Sequence, residues 1–251
     1  MHDRALLLLG SKRDAVLSLR EVQQYGLDSF SDADYVRIYG MAPAEWYARG
    51  IRLLGRTAVE CTRDALADRI GGDIAAVAAK LGGTSRLTVI DPFAGSCNTL
   101  YWILRHLPGA EGIGCELDPQ VHHLTRNNIA GLDRKIELMQ CDYEALLDSG
   151  GFRSDHGLIV FVAPPWGTAL DEAKGLDLRR TEPPVLDVIG RIARTYPACK
   201  LLFAVQVHER VTPDSLTDLR KRVDWSDLRV YDINAAGHNH GLLLATKGWK
   251  P

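Results

Sequence analysis

Three acidic side chains follow predicted β-strands, and each is of a type that binds part of a nucleoside. Asp91 begins a turn of small residues, Asp91 to Asn98, whose backbone can come close to a ligand at a helix N-terminus. Glu116 lies about 20 residues past that turn, where a carboxylate can accept from two ribose hydroxyls. Asp142 follows the next strand and can accept from an exocyclic amine. Each acid alone could be a solvated residue or a helix cap, but their repetition at three successive strand ends favours a ligand site.

A fourth strand leads into the stretch FVAPPWGTAL, residues 161–170. Its two prolines fix φ and lack N–H groups, so the loop offers rigid carbonyl acceptors. Trp166 offers a flat face, and stacking on such a face contributes ~1–3 kcal/mol per base. Gly167 leaves room beside it. A proline turn with a core tryptophan is the alternative. We predict that the catalytic floor consists of Ala163, Pro164, Pro165 and Trp166.

The alternation of short apolar runs with helical stretches predicts an α/β fold. Seven strands are predicted, in RLTVIDPFAG, EGIGCELDP, KIELMQCD, HGLIVFVAPPWG, CKLLFAVQV, LRVYDINAA and HGLLLATKG. Helices link the first five, which must be mostly parallel, whereas the last two form a hairpin and make the last strand antiparallel. The expected fold is a Rossmann-like, seven-stranded, mostly parallel sheet. Ligands bind such sheets at the carboxyl ends of the strands.

Residues 1–84 have a different pattern. SKRDAVLSLREVQQYG and ECTRDALADRIGGDIAAVAAKLG are predicted to be helical, and the segment between them is rich in aromatic and arginine residues. A Gly/Ser-containing turn is predicted near Leu81–Ser85. We predict a helical N-terminal extension that packs on the catalytic domain. Its aromatic segment could form a lid or pack in the core, and the residues concerned are Tyr39, Trp46, Tyr47 and Arg49.

The bulk composition suits one α/β domain with an appended helical piece. The chain has 251 residues, 46% of them hydrophobic, and a net charge of −2, which gives no general attraction to nucleic acid but leaves a local basic patch possible. Its five cysteines form no C-x-x-C pair, so no disulfide framework, no metal site and a reducing cytoplasm are expected. The apolar run ALLLLG is too short to span a membrane. GHNHG, residues 237–241, is interpreted as a polar hairpin turn rather than a metal site.

Four motifs in order, VIDPFAGSCNT, GCELDP, MQCDY and VAPPWG, resemble the successive motifs of class I S-adenosylmethionine-dependent methyltransferases. The resemblance covers about residues 57–250, which divides the chain into an extension or lid at 1–56 and a catalytic domain at 57–251. It implies that Asp91 and Gly95 lie against the methionine portion, that Glu116 holds the ribose, and that Asp142 holds the adenine amine. It implies S-adenosylmethionine as cofactor, S-adenosylhomocysteine as product and no metal. The implied cofactor contacts are Asp91, Phe93, Ala94, Gly95, Asn98, Thr99, Glu116, Leu117, Asp142 and Tyr143.

Within that class, P-P-W-G and HLTRNNIAGL are similar to the RNA-cap guanine-N2, or trimethylguanosine synthase-like, methyltransferases. The segment Tyr47–Ile70 also looks like the one that those enzymes have before the core, which implies that Thr62 approaches the methionine end of the cofactor. The basic stretch LRRTEPP follows the loop and could line the substrate mouth, as could His208, Glu209 and Arg210 after the fifth strand. The predicted substrate contacts are Trp46, Trp166, Gly167 and Arg179.

One residue departs from the pattern of amino-methyltransferases. The residue before the two prolines is usually Asp, Asn or Ser there, and supplies a side-chain oxygen to the target amine, whereas here it is Ala163. The backbone carbonyls of Ala163 and Pro164 remain. We therefore predict N-methylation of a planar amine or nucleobase, favoured by P-P-W-G. A small-molecule methyltransferase is the alternative, favoured by Ala163 and the near-neutral charge, and a non-catalytic cofactor-binding module is the third.

Overall fold

The computed structural model describes residues 4–81, 87–148, 157–171, 173–233 and 240–251. The N-terminal part is helical, and a short 3₁₀ helix follows it at Ala79–Leu81. Its helices are α1 (Arg4–Leu8), α2 (Leu19–Phe30), α3 (Pro43–Ala48), α4 (Gly55–Glu60) and α5 (Asp64–Ala78). Residues 82–85 of the predicted turn at Leu81–Ser85, and residues 237–239 of the predicted hairpin turn, lie outside the described residues.

Strands and helices alternate in the rest of the chain. The strands are β1 (Leu87–Asp91), β2 (Glu111–Cys115), β3 (Ile136–Met139), β4 (Gly157–Val162), β5 (Leu170–Asp171), β6 (Gly175–Leu176), β7 (Lys200–His208), β8 (Trp225–Tyr231) and β9 (His240–Lys247). The helices are α6 (Asn98–His106), α7 (Pro119–Ile129), α8 (Tyr143–Asp148), α9 (Val185–Thr195) and α10 (Pro213–Arg220).

The main sheet has seven strands in the order β3-β2-β1-β4-β7-β9-β8. The first five in this order are parallel, and β9 is antiparallel to both of its neighbours, β7 and β8. The predicted fold class is therefore confirmed. The chain runs outward from β1 in one direction through β2 and β3, and in the other from β4 to β7. The carboxyl ends of β1 and β4 consequently flank the switch point, where ligands bind in sheets of this kind.

A two-stranded hairpin of β5 and β6 follows the proline–tryptophan loop, and the sequence did not indicate it because two residues are too few for a strand period. Gly175 lies in the left-handed region at φ +95°, and a Cβ there would come within 2.6 Å of the Arg210 carbonyl oxygen. Leu176 donates to that oxygen and accepts from the N–H of Thr212. The hairpin therefore ties the loop after β4 to the segment after β7.

The N-terminal helices share a hydrophobic core with the first strand–helix turn of the sheet. Trp46, Val36 and Leu53 belong to the same buried cluster as Ala94 and Cys97. The predicted helix in residues 11–26 begins only at Leu19, because the side chain of its N-cap, Ser18, accepts from the N–H of Glu21. The border predicted between residues 56 and 57 falls within α4, and the division into two domains stays a prediction.

Candidate functional site

The carboxyl ends of β1 and β2 hold a carboxylate beside an open turn. The N–H of Gly95 donates to Glu116 Oε2 over 3.0 Å, and the N–H of Asp118 donates to Oε1 over 2.8 Å. Each oxygen keeps a lone pair for a further donor. Gly95 has φ +49°, and a Cβ there would meet no atom of the described residues within 4 Å. The turn is therefore held by the hydrogen bond to Glu116, and the space beside Gly95 is open to a ligand.

Asp91 lies buried at the end of β1, only 2% exposed. The N–H of Phe93 donates to its Oδ1 over 3.1 Å. Burial raises the pKa of Asp91 to about 7, since the apolar surroundings penalise its charged form, and the nearby charge of Glu116 adds to the effect. Burial also raises the pKa of Glu116. A cation bound beside the turn would stabilise the ionised form of both buried carboxyl groups. The turn is therefore a favourable environment for a positively charged ligand.

Asp91 is expected to make the ligand-free protein less stable as the pH rises. The unfolded chain ionises this carboxyl near pH 4, whereas the native state does so only near pH 7, so stability present below pH 4 is lost between these values. Each unit of difference corresponds to about 1.4 kcal/mol, so the free energy of unfolding should fall by roughly 2–3 kcal/mol from pH 5 to 8 through this group.

Asp91→Asn should abolish that loss, because the amide oxygen can still accept from Phe93 and carries no charge. Chemical denaturation of both proteins at pH 5 and pH 8 measures it. Parallel pH profiles for the two would contradict the assignment.

Asp142 caps α8 at the end of the neighbouring strand. Its side chain is exposed, and its Oδ1 accepts from the N–H of Ala145 over 2.7 Å, which leaves Oδ2 for a ligand donor. The rings of Phe93 and Tyr143 lie 5.7 Å apart beside it. Leu117 is 68% exposed on the same edge. The structure therefore brings a carboxylate oxygen and two aromatic rings to the end of β3.

Two other predicted contacts, Ala94 and Thr99, are buried under the turn. The N–H of Ala94 donates to the Cys115 carbonyl over 2.9 Å, which binds the turn to the end of β2. The Thr99 side chain is buried in the first turn of α6. Both residues therefore pack on the buried side of the turn.

The Asn98 side chain forms hydrogen bonds within the protein, and its contact with the cofactor stays a prediction. It is 1% exposed, and its Oδ1 accepts from the N–H of Tyr39 over 2.7 Å. Its Nδ2 donates to the Thr62 carbonyl over 2.7 Å and to Asp64 Oδ1 over 3.2 Å. Both amide hydrogens are therefore occupied. The sequence spacing located Asn98 at the helix start, but its three partners come from residues 39 to 64.

Thr62 reaches across the carboxyl edge of the sheet to a residue that the sequence reasoning missed. Its hydroxyl donates to Gln206 Oε1 on β7 over 3.1 Å, and both side chains are partly exposed. A polar residue within the apolar run LLFAVQV was the available signal.

The proline–tryptophan loop lies on the far side of the switch point. Ala163 and Trp166 are half-buried, Pro164 is buried, and Pro165 and Gly167 are exposed. The Trp166 ring lies 6.2 Å from the His208 ring and 6.1 Å from the His240 ring, centroid to centroid. These histidines are direct partners across β7 and β9. The Trp166 ring is thus in contact with two histidine rings.

The side chains of two other predicted substrate contacts have partners within the protein. Trp46 is 0% exposed, and its indole N–H donates to the Val36 carbonyl over 3.0 Å, so it packs as a core residue. The Arg179 guanidinium is exposed but forms ion pairs with Asp177 at 2.8 Å and with Asp218 at 3.5 Å. Its charge is therefore matched by neighbouring acids.

Comparison of the structure with solved structures identifies the fold. The delta-N METTL16 MTase domain matches with a TM-score of 0.52 and 16% identity over 74% of this chain and 84% of that chain. The METTL16 MTase domain matches with a TM-score of 0.50 and 12% identity over 77% of this chain and 72% of that chain. The chain thus has the Rossmann-like fold of class I S-adenosylmethionine-dependent methyltransferases. No protein-family model matches the chain, and no curated protein matches it by sequence.

The residues at the carboxyl edge fit S-adenosylmethionine by their chemistry. A held carboxylate with spare lone pairs suits a ribose, Oδ2 of Asp142 suits an amine, and the acidic environment near Asp91 suits a cation. Among the described residues, no helix is long and apolar enough to cross a membrane. No group of three or more potential metal ligands occurs in the same part of the chain.

Proposed function

We propose that this protein is a methyltransferase that moves a methyl group from S-adenosylmethionine to a planar amine. The observation that carries the proposal is the Glu116 carboxylate, held between the N–H groups of Gly95 and Asp118 beside the open turn. A carboxylate fixed at both oxygens needs no rearrangement to receive two hydroxyls. The fold supports the same conclusion.

Three acidic side chains then bind or lie near different parts of the cofactor. Glu116 accepts from the ribose hydroxyls, the second oxygen of Asp142 accepts from the adenine amine, and Asp91 lies near the charged methionine end. The cofactor supplies an activated methyl group: a C–N bond forms as the C–S bond breaks, sulfur keeps the electron pair, and the proton on nitrogen passes to water. The work of the protein is alignment and exclusion of water, to which orientation contributes several kcal/mol.

Trp166 is the proposed platform for the acceptor. Its ring is half-buried and contacts the rings of His208 and His240, so a planar ligand stacking on it meets a side chain that is already ordered. The backbone carbonyls of Ala163 and Pro164 would accept from the amine hydrogens. A nucleobase, as in the resemblance to the cap guanine-N2 enzymes, has the required plane and amine.

A small-molecule acceptor is the second candidate, and one contact favours it. A nucleic-acid enzyme needs cations for the phosphates near its base pocket, but the Arg179 charge is matched by Asp177 and Asp218. An uncharged planar metabolite needs no such cation. The two candidates share the cofactor site and the stacking platform.

Two measurements test the proposed function. Titration calorimetry with S-adenosylmethionine on the full chain should show one-site binding, and its absence in a folded protein would contradict the cofactor assignment. Transfer of labelled methyl groups to RNA pools and to metabolite pools then separates the candidates. Labelling of neither pool by a protein that binds the cofactor would favour a non-catalytic binding module.

Trp166→Ala is expected to lower turnover roughly 5- to 100-fold while cofactor affinity stays unchanged, because loss of one stacked base costs about 1–3 kcal/mol. Trp166→Phe, which keeps a flat ring, should retain most of the activity. Trp225→Ala, at a half-buried tryptophan on the edge strand β8, is the matched control. Methyl transfer and calorimetry on the three variants provide the check, and undiminished turnover of Trp166→Ala would rule out stacking.

A further inference from the structure

Gln206 is a polar residue within β7, a largely buried strand of the sheet. Residues 201–205 of β7 are buried, and Gln206 next to them is partly exposed. An amide at such a position costs free energy unless its polar atoms find partners. A leucine or valine would continue the apolar run, so the amide requires an explanation.

The strand register sets Gln206 beside Ala163. Val162 of β4 pairs with Val205 of β7 in parallel, and one residue further along each chain come Ala163 and Gln206. Paired residues of parallel strands present their side chains to the same face of the sheet. Ala163 packs against the cluster that contains Ala204, which is two residues before Gln206 and so on the same face. Continuing the register by one residue therefore puts Gln206 beside Ala163 on this face.

Thr62 holds this amide in one orientation. Its hydroxyl donates to Oε1 over 3.1 Å, and its own carbonyl accepts from Asn98 over 2.7 Å, so the contact is anchored to α6. A glutamine amide has two acceptor lone pairs and two donor hydrogens, and Thr62 uses one lone pair. One acceptor position and the amino group remain, and the Gln206 side chain is partly exposed.

An aromatic amine needs acceptors for its hydrogens, because its lone pair becomes available to a methyl group only as the nitrogen turns tetrahedral. At position 163 the chain offers backbone carbonyls and no side-chain oxygen. The neighbouring amide can supply that oxygen, and its N–H₂ can donate to a ring nitrogen or carbonyl next to the amine. An amide is complementary to such a donor–acceptor edge, as in its pairing with adenine.

We propose that Gln206 binds the amine-bearing edge of the methyl acceptor and supplies the side-chain oxygen that Ala163 lacks. This rests on the proposed function and assigns its substrate class: planar heteroaromatic compounds with an amine next to a ring nitrogen or carbonyl. Gln206 takes no proton; it accepts a hydrogen bond and fixes the direction of the nitrogen lone pair. Thr62 acts as a positioning residue through Gln206.

A binding experiment tests this independently of turnover. The probe is the fluorescent 2-aminopurine riboside, with purine riboside, which lacks the amine, as its partner, both added to the full chain saturated with S-adenosylhomocysteine. The protein should bind 2-aminopurine riboside roughly 10- to 100-fold more tightly than purine riboside, the range expected for one to two hydrogen bonds in a desolvated site. In Gln206→Leu the two affinities should become equal within about threefold, with cofactor affinity unchanged.

Two further variants sharpen the test. Ala163→Asn in the Gln206→Leu background restores a side-chain oxygen one strand away and should recover at least part of the preference for the amine. Thr62→Val should reduce the preference by a smaller factor, since it frees the amide to rotate without removing it. Thermal unfolding of Gln206→Leu checks that the strand remains folded.

The outcomes separate the two proposals. A protein that does not bind S-adenosylhomocysteine contradicts the proposed function itself. One that binds the cofactor but does not prefer the amine, or whose Gln206→Leu variant keeps that preference, overturns the role of Gln206 and leaves the cofactor assignment standing. Loss of the preference in Gln206→Leu together with its recovery by Ala163→Asn supports the inference.

Discussion

Glu116→Gln is expected to weaken S-adenosylmethionine binding at least roughly 100-fold, because hydrogen bonds to a charged acceptor contribute about 1.5–3 kcal/mol each and a ribose offers two. Glu116 is held from behind by the N–H groups of Gly95 and Asp118. Glutamine turns one of these acceptors into an N–H₂ group that faces a donor. The substitution therefore removes the charge, a ligand contact and part of the support of the turn.

Calorimetry with S-adenosylmethionine and with S-adenosylhomocysteine measures the effect. Both ligands contain the ribose, so both should be weakened by similar factors, which distinguishes loss of the diol contact from loss of a charge interaction with the sulfonium. Glu137→Gln, an exposed acid on the neighbouring strand β3, is the matched control and should bind normally. Wild-type affinity in Glu116→Gln would disprove the ribose assignment.

Trp46→Ala is expected to lower the free energy of unfolding by about 3–5 kcal/mol, the range for truncating a large aromatic side chain in a core. The indole is fully buried, and its removal also leaves the Val36 carbonyl without its 3.0 Å donor. Trp46 shares its cluster with Ala94 and Cys97 of the turn beside Glu116. The stability of the N-terminal helices and that of the turn are therefore linked.

Urea denaturation followed by circular dichroism gives the free energies. Trp46→Phe keeps most of the volume and loses the hydrogen bond, so it should cost less than half as much. If Trp46→Ala still binds S-adenosylmethionine, the ligand should raise its unfolding midpoint, since a ligand of the native state stabilises that state by mass action. An unchanged midpoint in the alanine variant without ligand would show that the tryptophan does not stabilise the core.

The sheet and its strand-end acids were predictable because both follow local rules. Apolar runs of strand length separated by helical runs define a parallel sheet, and the ends of the strands define the ligand edge. The location of Asp91, Glu116 and Asp142 at the ends of strands could therefore be predicted from their positions in the chain alone. β5 and β6 were not predictable, since two residues per strand give no period and their place depends on Gly175 fitting against Arg210.

The long-range contacts were beyond the sequence pattern. Asn98 has the right position for a ligand contact, but Tyr39, Thr62 and Asp64 occupy its side chain from distant parts of the chain. Trp46 belongs to an aromatic-rich segment of the kind that could form a lid, but its side chain is buried in the core. Gln206 lies next to Ala163 only through the register of β4 and β7, which no local pattern reports.

The asparagine contacts also bear on the order in which the chain folds. Asn98 accepts from Tyr39 across 59 residues of sequence, and Asn128 both accepts from and donates to the backbone of Arg52 across 76. Closing such loops costs entropy before the contacts repay it, which slows the steps that depend on them. On a ribosome the helices before β1 must wait until Asn98 and Asn128 have been made, so their core is completed late although its own residues are synthesised before these partners.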